Sequence, residues 1–273
     1  MMKDNAKILK FETNRRKEKM IKIPYKFVAG IMLIPVTADG KEGFFAFDSG
    51  AMQTAVNKAH FPEMQGKQIN IAKFSEGVKE NAAEEGILNT LCFSEIELSN
   101  MAVVIMDLMY VENALKAAMP DIKFLGTLGI DVIKNYTVML DYNAGEIILD
   151  PEHEFESQMS ISMRFENLPV IEVEVADRAY DFVLDTGASV CLLSKSFQNA
   201  EQLSPVSGMP SLCTIPVVRV GENEYKNITA TISDISAIKK KVFVEGVIGY
   251  QILSPQRSIL DFNNKRLIME KTL

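Results

Sequence analysis

An all-β fold of two homologous β-barrel lobes, with short helices and a cleft on the pseudo-two-fold axis between them, is what this sequence predicts. Three observations carry that expectation. The chain of 273 residues is long enough to bury two ordinary cores. Three blocks of sequence recur in the same order in its two halves. Within each half, short apolar runs rich in Val, Ile and Phe are separated by turn residues, the pattern of strands rather than of long helices.

The repeat fixes the architecture, because self-similarity at a long period with only two copies means two lobes and not a stacked array. The first block is Gly43-Phe-Phe-Ala-Phe-Asp-Ser-Gly-Ala51 against Tyr180-Asp-Phe-Val-Leu-Asp-Thr-Gly-Ala188, at an offset of 137 from Asp48 to Asp185. The second is Ser99 to Asp107 against Lys226 to Asp234, at an offset of 127. The third is Gly126-Thr-Leu-Gly-Ile-Asp-Val-Ile133 against Gly246-Val-Ile-Gly-Tyr-Gln-Ile-Leu253, at an offset of 120. Offsets that shrink in order describe two copies of one fold, the second 17 residues shorter between its first and third blocks. The expected division is a polar tail over 1–22, a first lobe over 23–150, an acidic linker over 151–160 and a second lobe over 161–273.

The individual elements follow from local pattern. Ile31 to Val36 and Phe44 to Phe47 flank Ala38-Asp-Gly40, and Val170 to Val175 and Tyr180 to Leu184 flank Ala176-Asp-Arg178; both read as strand, tight turn, strand. Val138 to Asp141 with Ile147 to Leu149, and Ile259 to Asp261 with Leu267 to Met269, read as a closing hairpin in each half. Short helices are expected after both Asp motifs, and Val111 to Met119 reads as another.

Composition narrows the chemistry. A net charge of -7 disfavours a nucleic-acid groove, and the basic cluster Arg15-Arg16-Lys17 with Lys19 and Lys22 reads as a solvated tail. No run approaches the roughly 20 apolar residues of a membrane span, and no secretory signal pattern is visible, so the expected location is the cytoplasm. The three cysteines, Cys92, Cys191 and Cys213, suit reduced thiols, and Cys191 reads as a packing residue. With only His60 and His153 and no Gly-rich phosphate loop, neither a metal site nor a cofactor is expected.

The residues left to carry chemistry are the two aspartates. Each follows an apolar strand that anchors a turn in the core, and Gly50 and Gly187 allow close approach of backbone and substrate. The Ser49 and Thr186 hydroxyls can tie each turn to its counterpart. Two such turns meeting on a two-fold axis bring the carboxylates within a few ångström, where both cannot ionise cheaply and the pair shares one proton. One carboxylate then serves as general base toward a water, while its protonated partner donates to a carbonyl. Asp107, Asp141, Asp234 and Asp261 also repeat, but their positions beside hairpins and turns mark them as structural. The fifteen methionines read as core filler, with Met101, Met106, Met109 and Met119 as possible lining of an apolar pocket.

The motifs Asp48-Ser-Gly-Ala and Asp185-Thr-Gly-Ala, with Thr127-Leu-Gly129 and Val247-Ile-Gly249 behind them, resemble the catalytic loops and packing segments of pepsin and retroviral-type aspartic peptidases. The resemblance covers most of both halves. The lobes of about 120 residues, and the Ala after each motif, look like two retropepsin-type halves fused in tandem. The resemblance implies an acid-protease fold, Asp48 and Asp185 as the catalytic pair, Ser49 and Thr186 as cross-braces, and Gly129 and Gly249 as loop-packing positions. It implies an endopeptidase acting on a polypeptide segment held between the lobes. It also implies a flap, placed in the first lobe within Gln68 to Gly86 because that lobe is longer between Asp48 and Asn100 than the second is between Asp185 and Asn227. That segment has no Tyr for the flap tip, and Phe74 is the candidate instead. A monomer is expected, since one chain carries both half-sites. The alternative class is a peptide-binding or regulatory module on the same fold.

Overall fold

The computed structural model describes residues 20–69, 83–152, 158–201 and 203–270. The first half contributes β1 (Ile21–Pro24), β2 (Lys26–Val28), β3 (Ile31–Ala38), β4 (Lys41–Phe47), β5 (Ala55–Asn57), β6 (Lys67–Ile69), β7 (Ala83–Phe93), β8 (Ile96–Met106), α1 (Met109–Lys116), β9 (Phe124–Leu128), α2 (Ile130–Ile133), β10 (Thr137–Asp141) and β11 (Glu146–Leu149). The second contributes β12 (Gln158–Phe165), β13 (Pro169–Val175), β14 (Arg178–Leu184), β15 (Cys191–Ser194), β16 (Ser204–Val206), β17 (Met209–Val220), β18 (Asn223–Ser233), α3 (Ser236–Lys239), β19 (Gly246–Ile248), α4 (Tyr250–Leu253), β20 (Ser258–Asp261) and β21 (Arg266–Glu270).

The repeat read in the sequence is a repeat of topology. In the first lobe the order β3-β4-β9-β5-β8-β7 closes on itself through pairing of β3 with β7, and in the second β13-β14-β19-β15-β18-β17 closes through β13 with β17. Closure leaves no free edge within either barrel. The hairpin turn between β3 and β4 has positive φ at Asp39 and Gly40, and that between β13 and β14 at Ala176 and Asp177. Both central residues at positive φ is the turn whose twist matches paired antiparallel strands.

Alternation along the strands places the cores. Phe45 and Phe47 on β4, and Phe182 and Leu184 on β14, are essentially fully buried inside their lobes. Each such side chain stabilises by roughly 1.5–3 kcal/mol relative to its exposed state. The lobes are joined by the six neighbouring strands β1-β11-β10-β20-β21-β12, in which β10 and β20 pair antiparallel across the pseudo-two-fold, Thr137 opposite Asp261 and Leu140 opposite Ser258. This shared sheet puts the loops after β4 and β14 on a common axis.

Three local expectations change. The helices expected after the Asp motifs are single 3-10 turns, Lys58–His60 and Lys195–Phe197, each preceded by a short strand. Those strands, β5 and β15, are needed as inner members of the barrels, where they pair with β8 and β9 and with β18 and β19. The helix expected over Val111 to Met119 is α1, which starts two residues earlier and ends three earlier, just after a turn in which Asp107 Oδ1 accepts from Met109 N at 2.9 Å. Finally, β12 begins at Gln158 and pairs with β21, so strand structure reaches into the segment read as linker.

Candidate active site

Parallel pairing builds the site from the strands upward. β4 lies parallel to β9, Phe47 beside Leu128, and β14 lies parallel to β19, Leu184 beside Ile248. One residue further on, Asp48 N donates to Leu128 O at 3.1 Å and Asp185 N to Ile248 O at 2.8 Å. The chain then turns away and is caught again, with Ile130 N on Ala51 O at 2.8 Å and Tyr250 N on Ala188 O at 2.9 Å. Gly129 and Gly249 make this possible. A Cβ at Gly129 would stand 2.6 Å from the Gln53 carbonyl carbon, and one at Gly249 2.2 Å from the Asp185 carbonyl oxygen. Any side chain there would push the Asp loops off the strands behind them.

Each aspartate is held by its own turn. Asp48 Oδ1 accepts from Gly50 N at 2.8 Å and Ala51 N at 2.9 Å, and Asp185 Oδ1 accepts from Gly187 N at 2.7 Å. The turns are then locked to each other. Ser49 N donates to Thr186 Oγ1 at 2.9 Å and Thr186 N to Ser49 Oγ at 3.0 Å. The hydroxyls continue across the axis, Ser49 Oγ to Leu184 O and Thr186 Oγ1 to Phe47 O, both at 2.8 Å. Ser49 and Thr186 are buried, so these four bonds are shielded from competing water.

The two carboxyls meet at the centre. Asp48 and Asp185 are half-buried and hydrogen-bonded to one another. A Cβ on Gly50 would stand 2.3 Å from Asp185 Oδ2, and one on Gly187 2.6 Å from Asp48 Cγ, so each glycine leaves room for the opposite carboxyl. Burial raises the affinity of both groups for a proton. For Asp185 the adjacent Asp48 charge adds to burial and holds its carboxyl well above the usual range. For Asp48 the rise is opposed by hydrogen bonds from Asp185, Gly50 and Ala51. The pair is therefore built to keep one proton between two carboxyls that are each supported by backbone donors.

Over 93% of its length the chain superposes on an aspartic proteinase from Irpex lacteus, covering 98% of that protein with a TM-score of 0.59 and 9% identity. The fold is that of the pepsin-like aspartic proteinases. The basic 7S globulin from soybean shares it as well, at a TM-score of 0.56 and 10% identity over 93% of this chain and 95% of that one. No family model matches the sequence, and neither does any curated protein. At such identities the likeness establishes the pepsin-like fold and leaves the chemistry to the site.

Within this pepsin-like frame, the structure brings together Asp48, Ser49, Gly50, Asp185, Thr186 and Gly187, with Gly129 and Gly249 directly behind them. The flap is expected within Gln68 to Gly86, of which 70–82 lie outside the described residues; at its two ends β6 and β7 pair antiparallel, with Lys67 opposite Glu85 and Ile69 opposite Ala83. Phe74 lies outside the described residues. The counterpart strands in the second lobe, β16 and β17, are joined by only Ser207 and Gly208, with Gly208 at φ +77°. Asp107 and Asp234 accept from Met109 N and Ser236 N, and Asp141 and Asp261 from Ala144 N and Asn264 N, so all four act as turn acceptors. Of the methionines, Met101 is in the main core, whereas Met106 and Met119 pack half-buried beside α1. Cys191 is buried, and burial pushes its thiol up to about 12, which suits packing rather than nucleophilic attack.

Two groups of residues near the site were not singled out by sequence. Thr54 and Asp131 hydrogen-bond behind the Asp48 loop. Phe27 and Tyr142 of the first lobe pack against Tyr250 of the second, with Phe27 and Tyr250 ring centroids 4.6 Å apart, and Tyr25 packs against Tyr142. Asp131 and Tyr250 sit in the third repeated block, where Asp131 is answered by Gln251 and Tyr250 by Ile130; a mismatch within a repeat was the available signal. A surface cavity of about 500 Å³ beside β6 and β7, lined by Asp39, Glu63, Gln65, Lys67, Glu85 and Asn89 among others, includes neither Asp48 nor Asp185. The paired carboxyls, not the cavity, are where acid and base groups converge. Among the described residues no group of three or more His, Cys, Asp or Glu is placed to hold a metal ion, and no helix is long and apolar enough to cross a membrane.

Proposed function

We propose that this protein is an aspartic endopeptidase that hydrolyses peptide bonds with a water activated between Asp48 and Asp185. The observation that carries the reading is the hydrogen-bonded carboxyl pair, held by reciprocal Ser49 and Thr186 bonds and biased toward one shared proton. Asp48, as carboxylate, takes a proton from the water while its oxygen attacks the scissile carbonyl carbon. Asp185 gives its proton to the carbonyl oxygen, producing a neutral gem-diol. Collapse of the diol returns a proton to Asp185, and the proton on Asp48 passes to the departing amine nitrogen. Neither a metal nor a covalent intermediate enters these steps.

The substrate is a polypeptide segment lying between the lobes, and one chain supplies both halves of the site, so the working form is a monomer. A second reading, a peptide-binding module without turnover, is favoured by one observation: the same fold serves a protein named as a proteinase and another named as a globulin. A peptide library incubated with the purified chain from acid to neutral pH separates the two. Cleavage that vanishes in both Asp48→Asn and Asp185→Asn supports the peptidase; stoichiometric binding without any cleaved product supports the module. Activity found only in a sedimenting dimer would overturn the monomer.

A further inference from the structure

Asp131 is a partly buried carboxyl that the hydrolytic steps do not use, and burial raises its affinity for a proton. Its Oδ1 accepts from both Thr54 N, at 2.9 Å, and Thr54 Oγ1, at 2.8 Å. Thr54 is fully buried, and its Oγ1 accepts in turn from Gly129 N at 3.1 Å. Thr54 ends the loop that Asp48 begins. The Asp48 end of that loop is tied to Leu128 O and its middle to Ile130 N through Ala51 O. Thr54 and Asp131 fasten the other end to the same turn.

The second lobe lacks this fastening. Ala55 and Leu192 occupy matched places, opposite Thr127 and Val247, so the residues before them, Thr54 and Cys191, correspond. Two residues beyond the matched glycines, Asp131 corresponds to Gln251. In the second lobe the place of the Thr54 hydroxyl is taken by the Cys191 thiol, a weak acceptor, and the Gln251 Oε1 is buried with no hydrogen-bond partner among the described residues. One aspartate loop therefore has a three-bond polar brace, and the other has a thiol and an unsatisfied amide.

We propose that Asp131 is a positioning residue for Asp48, acting through Thr54 to hold the Asp48 loop against the Gly129 turn. The effect on turnover rests on the peptidase reading, whereas the effect on the Asp48 carboxyl does not. Backbone N–H groups of Gly50 and Ala51 reach Asp48 Oδ1 only while this loop keeps its shape. Releasing the Thr54 end lets those donors move off, and the carboxyl then titrates and orients differently.

The test uses the full chain with ¹³C-carboxyl aspartate, following the Asp48 signal against pH in wild type, Asp131→Ala, Asp131→Asn and Thr54→Val, together with kcat and KM for a cleaved peptide. Asp131→Ala should move the Asp48 midpoint by roughly half a unit or more and lower kcat about 10- to 100-fold with KM nearly unchanged. Asp131→Asn keeps an acceptor for Thr54 and should restore both. If Asp131→Ala does not fold by circular dichroism, Thr54→Val, which removes the hydroxyl at constant volume, carries the same readings. A folded variant whose Asp48 titration and kcat match wild type overturns the proposal. A wild type that cleaves nothing, with the Asp48 signal still displaced in Asp131→Ala, defeats the peptidase reading and leaves the brace standing.

Discussion

Ser49 and Thr186 are each other's hydrogen-bond partners twice over, backbone N–H to hydroxyl in both directions, and each hydroxyl then reaches a strand carbonyl of the opposite lobe. These four bonds tie the Asp48 turn to the Asp185 turn beside the carboxyl pair itself. Removing one hydroxyl strands a buried N–H on one side and a buried carbonyl on the other, each costing about 1–3 kcal/mol. Thr186→Val should therefore lose roughly 2–5 kcal/mol of stability in urea unfolding, while Thr186→Ser stays within about 1 kcal/mol of wild type. Equal losses in the two variants would mean that the methyl packing, not the hydroxyl, matters.

The dyad should make stability depend on pH in a defined direction. A carboxyl whose folded pKa is raised above its unfolded value favours the fold below the unfolded pKa, and that contribution is lost as pH rises through the folded pKa. Asp185 is raised well above the usual range and Asp48 is raised too, so the pair costs stability at neutral pH and not near pH 3. Asp185→Asn removes the raised carboxyl and with it the cost of holding it in the fold at neutral pH, and should raise Tm by a few degrees at pH 7. The gain should vanish near pH 3. Scanning calorimetry at the two pH values checks this, and an equal gain at both would assign it to packing instead of charge.

Much of this was legible because a repeat reports topology directly. The three blocks located β4 with β14, β8 with β18 and β9 with β19, and with them both aspartates, both cross-bracing hydroxyls and both glycines behind the loops. The bond between Asp131 and Thr54 was not legible because a side-chain contact across 77 residues leaves no periodic trace; the mismatch of Asp131 with Gln251 marks a difference between the halves but not its partner. The strands β5 and β15 were hidden for a related reason. They are only three and four residues long, and their strand character comes from parallel pairing with β8 and β18 rather than from local alternation. Likewise, pairing of β10 with β20 depends on the approach of the lobes, which neither hairpin records alone.

The division of one proton between the two aspartates can be read chemically. An epoxide is opened by a carboxylate anion, whereas a diazo reagent esterifies a carboxylic acid. With Asp48 as the base and Asp185 as the acid of the proposed hydrolysis, a small epoxide should modify Asp48 and a diazoacetyl compound Asp185. Peptide mapping by mass spectrometry after each reagent, between pH 4 and pH 6 or thereabouts, identifies the sites. The reverse pattern would exchange the base and acid roles assigned above.

Packing of Tyr142 and Tyr250 joins the lobes beneath the site, with ring centroids 5.6 Å apart and an edge-on arrangement. Yet the Tyr142 hydroxyl, like that of Tyr25, is buried without a hydrogen-bond partner among the described residues. Burial raises the pKa of both phenols, that of Tyr25 to about 12, so both stay protonated and each pays for desolvation without a compensating bond. Ring and hydroxyl should then separate on mutation. Tyr142→Phe keeps the ring contacts and removes the orphaned oxygen, and should leave stability unchanged or raise it by about 1 kcal/mol. Tyr250→Ala empties the same contact, taking away the partner of both Phe27 and Tyr142, and should cost roughly 3–5 kcal/mol. Destabilisation of Tyr142→Phe comparable to that of Tyr250→Ala would show instead that the hydroxyl has a bonding partner that holds the lobes together.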